Sequence, residues 1–355
     1  MKTKPRLWLS CALLIMVSLA CAFLENLGSS PGPTPPPGEA EATSAPQAVP
    51  SPTDSASLPT TENLPPGGCP ENRNKIVYTY DPRDRETVHY GIYTMNPDGS
   101  QQVRLSGPDE INHREPAWSP ERCRIAFTSL SEPNNQDIYV MSADGTSIRQ
   151  LTTDPARDMF PDWSPDGHQI VFVSYRAGGI RELFVMEADG SHQRQLTSNQ
   201  AEYTQWEQWS PVADQIAYIF HSNLENQGGR IFVIGATGAG LRQITPEAGP
   251  LGETDLAWAP DGKKLYFVSN RSHYVEIWEI NLDGSGLRQI TNFHGANQVN
   301  LTHSLRVSPD GKRLAFYGVG PNVEKYGTEI YLVNVDGSGL VEISLSPGQE
   351  EWLDW

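Results

Sequence analysis

The chain has 355 residues, of which 43 are acidic and 26 are basic, so its formal net charge is −17 at pH 7. The part from Cys69 onward contains 38 acidic and 23 basic residues, a net charge of −15. A domain with this negative charge repels phosphate backbones, which argues against nucleic-acid binding. The charge favours solubility and is compatible with partners that have a basic surface.

Residues 1–21 have the pattern of a secretory signal peptide. Three basic residues precede an apolar run from Leu7 to Ala20, which is too short for a comfortable membrane span. The run ends in Val-Ser-Leu-Ala-Cys21 and resembles a bacterial lipobox. The resemblance implies lipidation of Cys21, hence an exported, membrane-anchored lipoprotein that faces the periplasm or the cell exterior. An ordinary cleaved signal and an uncleaved membrane anchor are the alternatives.

Residues 22–68 are predicted to be a disordered linker. From Gly28 onward the segment consists mainly of Pro, Ser, Thr, Gly and Ala, with almost no aromatic residues. This composition cannot bury enough apolar surface to offset the entropy of folding. We therefore expect an extended tether between the N-terminus and the domain that follows.

From residue 69 onward, one unit is repeated six times at intervals of 45 to 53 residues. Each unit contains an apolar strand with an aromatic residue, then a turn that is usually Asp-Gly, then a segment similar to Arg-Gln-Leu-Thr. The turns are centred on Gly99, Gly145, Gly190, Gly238, Gly284 and Gly337. Asp-Gly supplies the positive φ of a two-residue hairpin connection, so each unit is expected to contain a β-hairpin.

A second signal precedes each hairpin. It reads Trp-Ser-Pro-Asp-Gly at 163–167, with close variants at 258–262 and 307–311 and degenerate copies at Trp118 and Trp209. Pro, Asp and Gly suit successive positions of a type I turn. The segments that follow, such as QIVFVS and KLYFVS, are rich in β-branched and aromatic residues. Each unit is thus predicted to contain four short antiparallel strands.

Such units cannot be stable alone and must stack around an axis, which predicts an all-β protein with the β-propeller fold. The pattern W-S-P-D-G-x-x-I-x-F-x-S, followed by I-Y-V-M-x-x-D-G and R-Q-L-T, resembles the WD40-like PD40 repeat of the TolB-type propeller family over about residues 74–355. TolB itself has a separate α/β domain before its propeller and works in an envelope complex. This chain has the predicted linker there, so that specific role does not transfer, and the predicted propeller domain spans residues 69–355.

The first unit lacks its Trp strand, and the last residues supply one. Trp118, Trp163, Trp209, Trp258 and Val307 are 45, 46, 49 and 49 residues apart, and a further step of 48 reaches Trp355. We expect the C-terminal strand to pair with the first blade and to close a six-bladed ring, which leaves no open edge.

Two cysteines remain beyond the predicted signal. Cys69 and Cys123 both precede the second strand of adjacent blades, in connections that emerge on the same face. A disulfide between them is therefore expected in an oxidising compartment, with two free thiols as the alternative.

The chain contains no Gly-x-Ser-x-Gly, no His-Glu-x-x-His, no P-loop and no paired Cys-x-x-Cys, so the sequence predicts no catalytic triad, metal or cofactor. The repeated Asp residues are explained by turn chemistry. The candidate ligand site is the mouth of the central channel, where the loops that enter the inner strands meet. Its candidate residues are His113, Arg114, Asp158, Gln205, Trp206, Asp255, His303 and Glu351, together with Glu115, Arg157, Glu207 and Glu350.

Two functions are compatible with this organisation. The first is a non-catalytic cell-envelope scaffold that recognises a protein, a peptide or a glycan at the channel mouth. The alternative is a carbohydrate-active lyase or hydrolase that uses the carboxylates and histidines of the mouth. In either case Trp206 is notable, because Trp209 already fills the Trp position of that repeat and the fold does not require a second indole.

Overall fold

The computed structural model describes residues 68–82, 89–106, 112–132, 135–198, 203–221, 228–246, 252–296, 299–301, 303–320, 328–344 and 349–355. The predicted signal peptide, Cys21 and the linker up to residue 67 lie outside the described residues. Within the described ranges, helical structure is confined to a 3-10 turn at Pro70–Asn72 and a short helix, α1 (Phe293–Ala296). Neither helix is long and apolar enough to cross a membrane.

The strands form six antiparallel sheets, the blades. Blade 1 contains β1 (Ile76–Asp81), β2 (Gly91–Met95) and β3 (Val103–Arg104), and blade 2 contains β4 (Asn112–Trp118), β5 (Arg124–Glu132), β6 (Asn135–Ser142) and β7 (Arg149–Gln150). Blade 3 contains β8 (Asp158–Trp163), β9 (Gln169–Ala177), β10 (Ile180–Glu187) and β11 (Arg194–Gln195).

Blade 4 contains β12 (Tyr203–Trp209), β13 (Gln215–His221), β14 (Arg230–Gly235) and β15 (Arg242–Gln243), and blade 5 contains β16 (Glu253–Trp258), β17 (Lys264–Ser269), β18 (Glu276–Asn281) and β19 (Arg288–Gln289). Blade 6 contains β20 (Asn300–Leu301), β21 (Arg306–Val307), β22 (Arg313–Val319), β23 (Glu329–Asn334) and β24 (Val341–Glu342). Both β20 and β21 pair with β22, so together they take the place of one inner strand.

The last strand, β25 (Gln349–Asp354), belongs to blade 1. It pairs antiparallel with β1, with Tyr78 opposite Leu353 and Val77 opposite Asp354. Trp355 is 6% exposed, and its indole N–H donates to the carbonyl of Asn74 at 3.1 Å. The expected closure of a six-bladed ring by the C-terminal strand is therefore confirmed.

The hydrophobic core lies between neighbouring blades. One cluster contains Ala117 and Ile138 from blade 2 together with Trp163 and Phe172 from blade 3, all of them buried. Each sheet is apolar on both faces, so its neighbours must cover both. This packing confirms that the units stack face to face.

Hydrogen bonds within the turns explain the repeated Asp of Asp-Gly. Asp98 Oδ1 accepts hydrogen bonds from the backbone N–H and the hydroxyl of Ser100, at 2.9 and 2.6 Å. The carboxylates of Asp144, Asp189, Asp283 and Asp336 accept the equivalent backbone bond. The Thr of the Arg-Gln-Leu-Thr segment is structural too, since Thr197 Oγ1 accepts the backbone N–H of Leu183 at 3.0 Å.

A disulfide joins Cys69 to Cys123, with the two sulfurs 2.09 Å apart and the two Cα atoms 5.2 Å apart. The backbone N–H of Cys69 also donates to the carbonyl of Glu121 at 2.9 Å. The start of the domain is thus attached to the turn between β4 and β5 of blade 2.

Candidate functional site

The inner strands share a bend three residues before the Trp position. The residue there is in the left-handed region at Glu115, Phe160, Trp206, Ser304 and Trp352, with φ between 41° and 62°. The register of the inner strand shifts beside this residue in blades 2, 3 and 4. A β-bulge re-aims side chains, and non-glycine residues keep a positive φ only where their surroundings fix it. The bend turns this position toward the propeller axis.

These residues meet at one small axial cavity. It has a volume of about 30 Å³ and is lined by Glu115, Phe160, Trp206, Ser304 and Trp352, with Asp255 at the same place in blade 5. That space admits about two water molecules. The channel is therefore nearly filled by side chains at this level.

Four rings form what we call the aromatic cluster: Phe160, Trp206, His303 and Trp352. The centroid of Phe160 is 5.8 Å from that of Trp206 and 6.3 Å from that of Trp352. The ring of His303 is 6.2 Å from that of Trp206 and 5.7 Å from that of Trp352. All four side chains remain partly exposed. The cluster thus joins blades 1, 3, 4 and 6 across the axis.

Polar residues border the aromatic cluster. The guanidinium carbon of Arg114 lies 4.1 Å from the ring centroid of Tyr90 and 5.5 Å from that of Trp352. Glu351 Oε1 accepts the hydroxyl proton of Tyr90 at 2.9 Å. Gln205 Nε2 is 2.8 Å from a ring nitrogen of His221. Arg114, Gln205, Trp206, His303 and Glu351 are all partly exposed, and their role as ligand residues stays a prediction.

Three of the other predicted ligand residues are buried: His113, Asp158 and Asp255. His113 is 5% exposed, its Nδ1 is 2.9 Å from the hydroxyl of Ser106, and burial lowers its pKa to about 4. Asp158 is fully buried and forms an ion pair with Arg176. Asp255 is also fully buried and accepts the backbone N–H of Leu305 at 3.2 Å. We leave these three residues out of the candidate site, and their ligand role stays a prediction.

Carboxylic acids lie beneath the aromatic cluster. Burial raises the pKa of Asp255 to about 6 and that of Asp162 to about 7. Glu207 lines the axial cavity, is 4% exposed, and neither of its carboxylate oxygens has a hydrogen-bond partner. Its burial, with Asp162 and Glu115 adding repulsion, raises its pKa well above the usual value. Burial in this layer therefore shifts each acid toward its protonated, uncharged form.

His303, the remaining predicted histidine, packs against an aromatic ring of its own blade. Its ring packs 5.4 Å from that of Tyr317, and its carbonyl accepts the backbone N–H of Tyr317 at 3.0 Å. Burial lowers its pKa to about 4, so it is neutral at pH 7. Among the described residues no group of three or more His, Cys, Asp or Glu side chains is placed to hold a metal ion.

Phe160 and Trp352 are functional candidates that the sequence prediction missed. Each lies three residues before the Trp position of its blade, as Trp206 lies before Trp209. Aligning the six repeats at this offset would have found both. What the repeat does not reveal is the bend that brings the three rings into contact.

Comparison with known proteins identifies relatives of the propeller. A stretch of 98 residues is 37% identical to the Tol-Pal system protein TolB of Anaeromyxobacter dehalogenans, and it covers 27% of this chain and 20% of that protein. The crystal structure of TolB from Acinetobacter baumannii has a TM-score of 0.66 at 16% identity, over 79% of this chain and 66% of that one. An oligogalacturonate lyase in complex with manganese has a TM-score of 0.54 at 13% identity, over 77% and 74%.

The structural neighbours share the fold, and the propeller is TolB-like. The family match is more extensive than the match to the TolB sequence, since residues 87–304 match the family described as the Tricorn protease N-terminal beta propeller domain. That range includes blades 2 to 5 entirely and parts of blades 1 and 6. The chain belongs to the family of the Tricorn protease N-terminal β-propeller domain.

Proposed function

We propose that this protein is a non-catalytic scaffold of the cell envelope that binds a segment of a partner protein at the aromatic cluster. The observation behind the proposal is the set of partly exposed rings, Phe160, Trp206 and Trp352, with Arg114 beside them. Trp, Tyr and Arg dominate the energetics of protein interfaces. The propeller holds these side chains on rigid strands, so little entropy is lost when a partner binds.

The state of the buried titratable groups supports binding over catalysis. His113 and Asp158 have structural partners, and His303 lies among rings. A general base must reach its substrate by a hydrogen bond. For the alternative of a carbohydrate-active lyase or hydrolase, Glu351 is the partly exposed acid of the mouth, and it already accepts the hydroxyl of Tyr90.

The relatives support an envelope location. The relative from Anaeromyxobacter dehalogenans is a Tol-Pal system protein, and a signal peptide with lipidation at Cys21 would deliver this chain to the cell envelope. The cysteine pair is compatible with export. The net charge of −15 from Cys69 onward favours a partner with a basic surface.

The test is a capture experiment with the full chain on an envelope extract, followed by titration of the purified partner. Trp206→Ala should weaken partner binding at least tenfold, because it removes a central ring of the cluster. Val212→Ala is the matched control, since Val212 is 59% exposed in the turn at the other end of β12. Equal binding by the wild type and Trp206→Ala, or turnover of an added polysaccharide, would contradict the proposal.

A further inference from the structure

Glu207 departs from the repeat at the axial cavity. It lies two residues before the Trp position of blade 4, next to the bend of the inner strand. In the other five blades the same position holds Pro116, Pro161, Leu256, Leu305 and Leu353. All five are buried and apolar. The fold is therefore served by an apolar side chain at this position, and the carboxylate of Glu207 calls for another explanation.

The carboxylate of Glu207 has no hydrogen-bond partner in another residue, although it lines the cavity and the residue is 4% exposed. The other two acids of the cavity each have partners. Glu115 Oε2 accepts the hydroxyl proton of Thr128 at 2.6 Å, and Asp255 Oδ2 accepts the backbone N–H of Leu305 at 3.2 Å. A buried polar group without a partner is costly, which points to a ligand that donates hydrogen bonds to Glu207.

The arginines near the cavity are engaged with other side chains. The charge of Arg181 favours the ionised form of Glu207, but its guanidinium donates to Gln205 at 3.3 Å. Arg306 lines the cavity and donates to Asp354 at 3.2 Å. The neighbouring acids repel an ionised Glu207, so a cation in the cavity would relieve this repulsion. The cavity therefore suits a positively charged donor that comes from outside the protein.

The size of the cavity and the rings around it select a primary ammonium group. A space of about 30 Å³ holds an ammonium, which is as small as a water molecule, whereas a guanidinium is larger and planar. Trp206 and Trp352 line the cavity and are partly exposed, so their rings can cover an alkyl chain that leads to the mouth. A metal ion needs several ligands, and no described group of three or more His, Cys, Asp or Glu side chains is placed to supply them.

We propose that the axial cavity binds the side-chain ammonium of a lysine of the partner protein, with Glu207 as its counter-charge. Trp206 and Trp352 pack on the alkyl chain of this lysine. The inference rests on the proposed function, since it names the residue that the partner inserts into the aromatic cluster. An ammonium has three N–H donors, and Glu207 offers it two oxygens. Because the ammonium favours the ionised form of Glu207, the two groups neutralise each other inside the cavity.

Titration of the full chain with n-butylammonium, a probe for the lysine side chain, tests the cavity without the partner. The saturable change in tryptophan fluorescence at constant ionic strength gives the affinity. Glu207→Leu introduces the residue that three other blades have at this position and should keep the fold. We expect Glu207→Leu, and also Glu207→Gln, to weaken binding of the probe at least tenfold, because each removes the counter-charge. n-Butylguanidinium should bind the wild type at least tenfold more weakly than n-butylammonium.

Asp283→Asn is the matched control, because it removes one negative charge from an exposed turn of blade 5. It should leave the affinity for n-butylammonium at the wild-type value. In the capture experiment, Glu207→Leu should weaken binding of the partner at least tenfold. Equal affinity of the wild type and Glu207→Leu for the probe, or no saturable binding by the wild type, would overturn the lysine site. A partner that binds Glu207→Leu as tightly as the wild type, but is lost in Trp206→Ala, would also overturn it while supporting the scaffold.

Discussion

Buried carboxylates in blades 3 and 5 are each neutralised by an arginine from the neighbouring strand end. Asp158 pairs with Arg176 and Glu253 pairs with Arg271, and both acids are fully buried. Neither arginine occurs at this place in the other blades, where the chain reads differently. Each arginine compensates the charge of one buried carboxylate. Removing the arginine therefore leaves a buried carboxylate without a counter-charge.

Replacing Arg176 by Met should therefore destabilise the propeller by about 3 to 5 kcal/mol, because Asp158 stays buried without its partner. Urea unfolding at pH 7, followed by tryptophan fluorescence, measures the change. Arg288→Met is the control: Arg288 is 56% exposed and pairs with Glu279, so its loss should cost about 1 kcal/mol or less. Equal effects of the two substitutions would contradict this assignment.

At the level of single residues, the sequence shows which side chains could bind a ligand but does not show in which direction each side chain points. The repeat pattern marks Trp206 as an indole that the fold does not need, and Trp206 lies in the aromatic cluster. His113 and Asp158 were candidates for the same mouth, yet their side chains point inward. The positive φ at the bend decides which way each residue faces, and no local signal marks it in a strand without glycine.

Among the elements, β25 completes blade 1 by pairing with β1. Trp355→Ala should cost about 3 to 5 kcal/mol, since it removes a buried ring and the hydrogen bond to Asn74. Val341→Ala, at a side chain that is 48% exposed in β24, should change stability by less than about 0.5 kcal/mol. Thermal unfolding measures both, and an unchanged melting temperature in Trp355→Ala would contradict closure by this strand.

The elements themselves were largely predictable. Asp-Gly and Ser-Pro-Asp-Gly turns have strict φ requirements, and the spacing of Trp118 to Trp355 gave both the number of blades and the closing strand. The separation of β20 from β21 in blade 6 has no counterpart in the repeat pattern of the sequence. Turns can be predicted because their residues are chosen locally, whereas bends that depend on neighbouring blades have no local sequence signal.

For the molecule as a whole, the buried acids predict an unusual pH dependence. Burial raises the pKa of Glu350 to about 8 and that of Asp162 to about 7. A carboxyl with a raised folded-state pKa contributes stability that is complete below its unfolded pKa and is lost as pH rises toward the folded value. Burial lowers the pKa values of His113, His221 and His303 to about 4, so these groups have the opposite effect. Their contribution to stability is lost as pH falls below about 6.5.

Stability should therefore fall between pH 6.5 and pH 8, by about 2 kcal/mol for Glu350 alone. Glu350→Gln keeps an uncharged side chain and should reduce this slope. Asp283→Asn, in an exposed turn where the acid's pKa is lowered, should leave the slope unchanged. Calorimetry in buffers of equal ionic strength gives the comparison, and a wild-type stability that rises across this window would contradict the assignment.

The disulfide predicts a further property of the whole domain. It encloses 54 residues and joins the start of the propeller to blade 2. Cys69→Ser combined with Cys123→Ser should lower stability by about 2 to 4 kcal/mol, chiefly by freeing the unfolded chain. Unfolding of the wild type with and without a reductant is the matching measurement. If reduction leaves the transition unchanged, the bond contributes nothing to stability.

Closure by β25 also sets the order of events during synthesis. β1 and β25 are about 270 residues apart, so at 5 to 20 residues per second the ribosome needs roughly 15 to 50 s to make the second after the first. Throughout that interval blade 1 lacks its inner strand and exposes an unpaired edge. The first blade to be translated is thus the last that can finish folding.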